Sequence, residues 1–293
     1  MINEWGFNFA RIPTDYRFLI KNNNWDDIDE SAMSRLDKAV EYGIKYNIHI
    51  NLNLHRAPGY TVANPPEIAN LWKDKEPQEA FARLWAYFAA RYKNVPNEYL
   101  SFNLINEPAN IDEASYAAVV KKASDAVWDN DRKRLIIADG LEWGTIPSDT
   151  IKGFGIPLAG RGYQPFTLTH YKAGWVNGAQ DYPLPDWPKE AEGFNKQSLY
   201  EKHFKQWKDF LKNGGAAMIG EWGAFNKTPH DVVLRWMENC LEIFKELDLG
   251  WALWNLTGSF GILNSGRADV DYENFNGYKL DRKMLDLLLK YVD

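Results

Sequence analysis

The sequence has little cysteine and no clustered positive charge. Cys240 is the one cysteine among 293 residues, so no disulfide can form within the chain. The formal net charge is −6 and no block of Lys and Arg occurs, which argues against nucleic acids and anionic membranes as partners. No apolar run reaches the length of about 18 residues that a membrane-spanning helix needs. No Gly-rich phosphate loop follows a predicted strand, which disfavours nucleotide-binding folds.

The first residues, Met1-Ile2-Asn3-Glu4, lack the basic start and the apolar stretch of a signal peptide. A signal that had been removed would leave the same sequence, so these residues leave the cellular compartment open.

Aromatic residues, in contrast, are abundant: they make up 15% of the chain and include 13 Trp. Most are expected in the core. The remainder could line a sugar-binding cleft, because flat aromatic rings pack well against the apolar faces of sugar rings.

Strand-like and helical segments alternate along the whole chain, with no linker between them. Apolar residues at helical spacing form stripes, for example Val233 to Leu247 with Cys240 inside it, and Met33, Leu36, Val40 and Ile44. The strand-like runs are Phe7 to Ile12, Ile48 to Leu54, Leu100 to Ile105, Arg134 to Ala138, Gly155 to Tyr163, Ala216 to Ile219 and Trp251 to Leu256. This alternation predicts a single α/β domain over residues 1–293, with a parallel sheet that is either a closed barrel or doubly wound.

Polar or aromatic residues close nearly every predicted strand. We expect Arg11, His55, Asn106, Glu107, Asp139, Tyr163, Glu221 and Trp254 at these ends. Barrel enzymes keep their chemistry at the carboxyl ends of their strands. Two of these residues, Glu107 and Glu221, are carboxylates, and a facing pair of carboxylates is the equipment for cleaving a glycosidic bond.

At these residues the sequence resembles the motifs of glycoside hydrolase family 5, the cellulase and mannanase family of retaining (β/α)8 barrels. It is most similar to bacterial endo-β-1,4-glucanases of that family. The resemblance spans nearly the whole chain. The segments that carry it are Arg11-Ile12-Pro13, Leu54-His55-Arg56-Ala57-Pro58-Gly59-Tyr60, Asn106-Glu107-Pro108, Gly220-Glu221-Trp222 and Gly250-Trp251-Ala252-Leu253-Trp254-Asn255.

The resemblance implies a role for each of these positions. Glu221 would be the nucleophile and Glu107 the acid/base, with carboxyl groups about 5 Å apart as retention requires. Arg11 and Tyr163 would hold Glu221, and Asn106 would bind the sugar above a floor formed by Trp254. His55 would bind the same sugar or the surroundings of the nucleophile. Further stacking candidates are Trp143, Trp175, Trp222 and Tyr60. The resemblance implies no metal or cofactor.

One departure from the family pattern concerns the segment Arg161-Gly162-Tyr163, where the family usually has His-x-Tyr. We expect Tyr163 to be the family tyrosine and Arg161 to stand in place of the histidine, where its donors could serve the sugar or a carboxylate. An alternative register would use His170 and Tyr171. An arginine can never act as a neutral acceptor.

A second departure is that seven strands are predicted where the family has eight. The first strand and most of its helix are absent, so either the reading frame is truncated or the barrel is open beside the strand of Phe9. Because an open barrel exposes unpaired strand edges, a second copy of the chain could cover the gap.

The leading interpretation is therefore an endo-β-1,4-glucanase that acts on a β-linked polysaccharide, with secretion expected from that substrate. A β-mannanase, a xylanase or an exo-glucosidase of the same family is the alternative. A non-catalytic carbohydrate-binding relative is the alternative from another class, kept open by Arg161 and by the missing strand.

Overall fold

The computed structural model describes residues 1–292 of the protein. Seven parallel strands form the main sheet, in the order of the sequence. Their bounds are β1 Phe9–Asp15, β2 His49–Arg56, β3 Leu100–Asn103, β4 Ile136–Asp139, β5 Leu158–Gly162, β6 Ala217–Trp222 and β7 Gly250–Leu253. The fold class is the (β/α)8-barrel type with seven strands in this sheet, as the sequence predicted, and β1 and β7 come first and last in its order.

Helices connect the strands. Their bounds are α1 Glu30–Tyr46, α2 Lys75–Arg91, α3 Glu113–Asn130, α4 Leu141–Gly144, α5 Asp149–Lys152, α6 Phe166–Thr169, α7 Lys196–Leu199, α8 Lys205–Lys212, α9 His230–Glu246 and α10 Arg282–Leu289. Single helical turns occur at Tyr16–Phe18, Ala179–Asp181 and Glu190–Glu192, and a π-helical turn at Tyr200–Phe204 precedes α8. None of the helices within residues 1–292 is both long and apolar enough to cross a membrane.

The chain divides into two compact units. The first comprises residues 1–159 and 214–216, and the second comprises residues 160–213 and 217–293. In the first unit, β1 to β4 pair in sequence and β4 pairs with the start of β5; in the second unit, β6 pairs with β7.

Helix α1 illustrates how the sequence defines an element. The Asp29 carboxylate accepts a hydrogen bond from the Ser31 N–H and begins the helix, while Asn47 ends it in the left-handed conformation. The predicted apolar stripe is right except at Ile44, which is 43% exposed. Gly43 takes the buried place, because any Cβ there would lie 2.5 Å from the Ile50 side chain.

Helix α9 confirms the longest predicted stripe. Cys240 is fully buried among its apolar neighbours, and burial raises the pKa of its thiol well above the usual range. The cysteine is therefore a core residue with little thiolate character.

A small antiparallel hairpin near the end of the chain was not predicted. It pairs β8 Glu273–Phe275 with β9 Tyr278–Leu280 around Asn276 and Gly277, both of which have positive φ. Asn-Gly is the preferred two-residue hairpin turn, so the sequence did carry the signal for this element.

Candidate active site

Arg11 lies inside a strand and does not follow one, contrary to the expectation from the sequence. Strand β1 continues to Asp15, paired with β2 throughout, so that Arg11 is its third residue. Its guanidinium donates hydrogen bonds of 2.9 Å to the Oδ1 atoms of Asn103 and Asn106. The side chain is almost completely buried, so these contacts replace its hydration.

Asp139 organises the polar residues of the first unit. It ends β4 as predicted and is fully buried. One carboxylate oxygen accepts from the Asn103 amide at 3.0 Å, and the other accepts from the Glu107 backbone N–H at 2.8 Å and lies 3.7 Å from Arg11 Nη2. The sequence placed Asp139 at a strand end but indicated no role for it. An aspartate at the end of a buried apolar strand was the available signal.

Glu107 lies on the loop after β3, and its backbone has a φ of 50°. For a residue other than glycine, this left-handed conformation costs on the order of 1–3 kcal/mol and persists only where the surroundings enforce it. Asp139 holds the Glu107 N–H. The Tyr60 hydroxyl donates to the Glu107 carbonyl at 2.6 Å and accepts from the Ala109 N–H at 2.9 Å.

Tyr60 thus braces the Glu107 loop through its hydroxyl, although the sequence suggested it as a stacking residue. Its ring packs edge-on against Trp72, with centroids 4.6 Å apart. Burial raises the pKa of the Tyr60 hydroxyl above its usual range, so the group remains a donor at any physiological pH.

Asn106 and His55 belong to the same polar group. Asn106 is fully buried, and its Oδ1 accepts from Arg11. His55 is the seventh residue of β2, and its Nδ1 lies 3.2 Å from Asn53 Oδ1. Asn53 in turn donates to Asn103 Oδ1 at 2.9 Å. Four of the predicted site residues, Arg11, His55, Asn106 and Glu107, therefore belong to one hydrogen-bonded group centred on Asn103 and Asp139.

Trp143 lies in α4, the short turn after β4, and is 45% exposed. Its φ is 57° and that of the preceding residue, Glu142, is 49°, so two consecutive residues adopt the left-handed conformation. The Trp143 N–H donates to the Pro108 carbonyl at 3.1 Å, which ties this turn to the residue that follows Glu107. An exposed indole on a turn held in this way is available for stacking.

In the second unit, Glu221 is the fifth residue of β6 and is 4% exposed. The Tyr163 hydroxyl donates to Glu221 Oε2 at 3.0 Å, and Arg161 Nη2 lies 3.6 Å from Glu221 Oε1. The hydrogen bond from Tyr163 is the one expected from the sequence. The donors of Arg161 face a carboxylate, which was one of the two uses foreseen for them.

Trp222 is a correction. The sequence suggested that it stacks on a sugar, but it is fully buried. Its ring packs edge-on against Phe244 at 5.2 Å and Trp251 at 5.6 Å. A fully buried ring packed in this way belongs to the core and offers no face to a sugar.

An aromatic cluster lies beside Tyr163. His170 stacks on Phe166 with centroids 3.9 Å apart, and Trp175 packs edge-on against Phe225 at 4.7 Å. Trp175 is 60% exposed, so its outer face is accessible. Burial lowers the pKa of His170 to about 4, which makes this side chain neutral near pH 7. The alternative register from the sequence had used His170 as the family histidine and Tyr171 as the family tyrosine.

Trp254 follows β7, and its N–H donates to the Trp222 carbonyl at 2.8 Å, which continues the pairing of β6 and β7 beyond the strand end. The peptide bond from Trp254 to Asn255 is cis. Among residues 1–292, no three or more His, Cys, Asp and Glu side chains are grouped so that they could hold a metal ion.

Comparison with known proteins adds to this geometry. Residues 1–259 match the family described as Cellulase (glycosyl hydrolase family 5). Endoglucanase C of Acetivibrio thermocellus is 26% identical over 94% of this chain and 88% of its own length. Cellodextrinase A of Ruminococcus flavefaciens is 26% identical over 84% of this chain and 73% of its own length. A crystal structure described as a glycoside hydrolase is 41% identical, with a TM-score of 0.93, over 99% of this chain and 90% of that one.

Proposed function

Because the chain belongs to glycosyl hydrolase family 5, the cellulase family, we propose that it is a retaining endo-β-1,4-glucanase. The observation that carries the proposal is the buried carboxylate of Glu221. One of its oxygens accepts a hydrogen bond from the Tyr163 hydroxyl, and the other faces the Arg161 guanidinium. A hydrogen-bond donor on one oxygen and a guanidinium near the other favour the charged form of a carboxylate and fix its orientation, as a nucleophile requires.

In the proposed mechanism, Glu221 attacks the anomeric carbon while the glycosidic bond breaks, and Glu107 gives its proton to the leaving oxygen. A glycosyl ester of Glu221 results. Glu107 then takes a proton from a water molecule, whose oxygen attacks the same carbon and releases Glu221. The contacts of Tyr60 and Asp139 with the Glu107 backbone support the role of Glu107, since acid/base catalysis requires a positioned group.

The remaining predicted residues take supporting roles in this proposal. Asn106 and His55 bind the sugar, with Arg11 holding the Asn106 amide in place. Trp254 forms the floor under the sugar, and the exposed rings of Trp143 and Trp175 bind further sugar units by stacking.

Several wider expectations remain part of the proposal. We propose that residues 1–293 form one catalytic domain, that the protein needs no cofactor, and that it is secreted because its polymeric substrate cannot enter a cell. A second copy of the chain would cover the two edge strands of the main sheet, β1 and β7.

Hydrolysis of carboxymethyl-cellulose, with the products sized over time, tests the proposal. An endo-acting enzyme lowers the viscosity well before it releases much reducing sugar. Proton NMR of the first products should reveal the β-anomer, because double displacement retains configuration. Glu221→Gln should be inactive, and Glu238→Gln, which alters a carboxylate paired with Lys290, is the control for the loss of a glutamate charge.

The alternative is action on another or a shorter glycan. The relative from Ruminococcus flavefaciens is named a cellodextrinase, which favours short β-glucan chains as the alternative substrate. Mannan, xylan and cello-oligosaccharides should be assayed beside the polymer. A non-catalytic binder would bind one of these glycans but hydrolyse none, and the presence of both glutamates argues against it.

A further inference from the structure

Arg161 and Glu221 form a nearly buried ion pair within the second unit. Arg161 Nη2 lies 3.6 Å from Glu221 Oε1, and the two side chains are 2% and 6% exposed. Arg161 Nη1 also donates to the Gly160 carbonyl at 3.2 Å, which fixes the guanidinium close to its own strand, β5. The other oxygen of Glu221 accepts from the Tyr163 hydroxyl. Glu221 therefore has a permanent charge at one oxygen and a neutral donor at the other.

We propose that Arg161 is a positioning residue whose charge promotes the second half of the reaction, the release of the sugar from Glu221. This inference rests on the function proposed above. A guanidinium retains its proton throughout the physiological pH range, so its charge is present in every state of the cycle.

The charge on Glu221 changes during that cycle. When Glu221 bonds to the anomeric carbon, its negative charge is consumed, and the electrons of the glycosidic bond pass to the leaving oxygen, which takes the proton of Glu107. When water attacks the glycosyl ester, the electron pair of the ester bond returns to Glu221 and the proton of water passes to Glu107.

Arg161 therefore attracts Glu221 strongly in the free enzyme and weakly in the ester. This difference favours hydrolysis of the ester, in which the Glu221 carboxylate is the leaving group. It disfavours formation of the ester, in which the carboxylate loses its charge. In a buried setting at this distance, the effect on the ratio of the two rate constants should be on the order of 10- to 100-fold. Among the titratable groups of the second unit, Tyr163 also contacts Glu221, and its ring centroid lies 5.3 Å from that of His170.

The experiment uses 2,4-dinitrophenyl β-cellobioside, whose leaving group needs no proton, so that both half-reactions can be timed. Rapid mixing gives the rate constant of the initial burst, which reports ester formation, and the steady state reports ester hydrolysis. We expect Arg161→Gln to raise the ratio of burst rate to turnover about 10- to 100-fold over the unsubstituted protein. Turnover and KM should fall together, because the ester accumulates. A denaturing quench should show protein whose mass has increased by one cellobiosyl unit.

Arg161→Lys is the matched control, since it retains a positive charge and should restore most of the original ratio. Tyr163→Phe removes the neutral donor and should change the ratio less than Arg161→Gln does. If circular dichroism shows that Arg161→Gln does not fold, Arg161→His measured at pH 8 is the replacement variant, because its side chain is neutral at that pH.

Loss of kcat and kcat/KM by the same factor, without accumulation of the ester, would overturn the inference. It would also be overturned if Arg161→Lys behaved like Arg161→Gln, because the charge would then make no difference. Failure of the unsubstituted protein to hydrolyse the cellobioside would instead refute the proposed function, so the two failures can be told apart.

Discussion

Replacement of Asp139 by Asn should weaken the first unit and slow catalysis. The carboxylate of Asp139 accepts from the Asn103 amide and the Glu107 N–H, and it lies 3.7 Å from Arg11 Nη2. An Asn side chain has one oxygen and one NH2 group. Whichever way the amide is turned, a donor replaces one of the two accepting oxygens and meets the donors already there.

The expected loss of stability follows from burial. Asp139 is fully buried and the Arg11 side chain is 5% exposed. Removing one partner of a buried ion pair costs about 3–5 kcal/mol, and the charge-assisted hydrogen bonds are included in that figure. The loss is a large fraction of the stability of an ordinary domain, about 5–15 kcal/mol.

Catalysis should fall as well, because Asp139 helps to hold Glu107 in its left-handed conformation. A misplaced acid/base slows the reaction on the order of 100-fold. Stability would be measured by urea unfolding and activity as kcat/KM on carboxymethyl-cellulose.

Asp131→Asn is the matched control. Asp131 pairs with Arg134, whose side chain is 1% exposed, before the start of β4, whereas Asp139 ends that strand. This control should lose stability but keep its kcat/KM. Unfolding of Asp139→Asn at the original urea concentration, or an equal loss of activity in both variants, would contradict this role of Asp139.

Further predictions concern the carboxylates, pH and the exposed aromatic residues. Glu107→Ala should be slow on polysaccharide but partly spared on a dinitrophenyl glycoside, whereas Glu221→Ala should be inactive on both; equal losses for Glu107→Ala on both substrates would contradict its role as acid. The pKa of His170 in the folded protein, about 4, lies below that of an exposed histidine. As the pH falls, this histidine is therefore protonated in the unfolded chain before it is protonated in the folded protein. Stability from this group is therefore present above about pH 6.5 and declines as the pH falls towards 4, by about 3 kcal/mol in all. His170→Phe should flatten that part of a plot of Tm against pH, and an unchanged slope would rule the group out. Trp175→Ala should raise KM for long substrates about 10-fold with little change in Tm, because the ring is exposed; an unaltered KM would exclude stacking. Light scattering at micromolar concentration should detect a dimer, and a monomer would contradict the covering of β1 and β7 by a second copy.

The sequence by itself determined the alternation of strands and helices, the count of seven parallel strands and the two glutamates. These features are local, because a strand or an amphipathic helix is encoded in the spacing of its own apolar residues. The strand end at Asp139 and the buried stripe of α9 could be read directly for this reason. The hairpin at Asn276-Gly277 is equally local, because its turn is encoded in those two residues.

Only the tertiary structure decided how the polar side chains pair. Arg11 and Asp139 are far apart in the sequence, and only the parallel register of β1 to β4 brings them within 3.7 Å. The burial of Trp222 depended on its packing against Phe244 and Trp251, and that of Gly43 on the side chain of Ile50. The ion pair of Arg161 and Glu221 joins β5 to β6. Contacts of this kind depend on three-dimensional neighbours that no local pattern specifies.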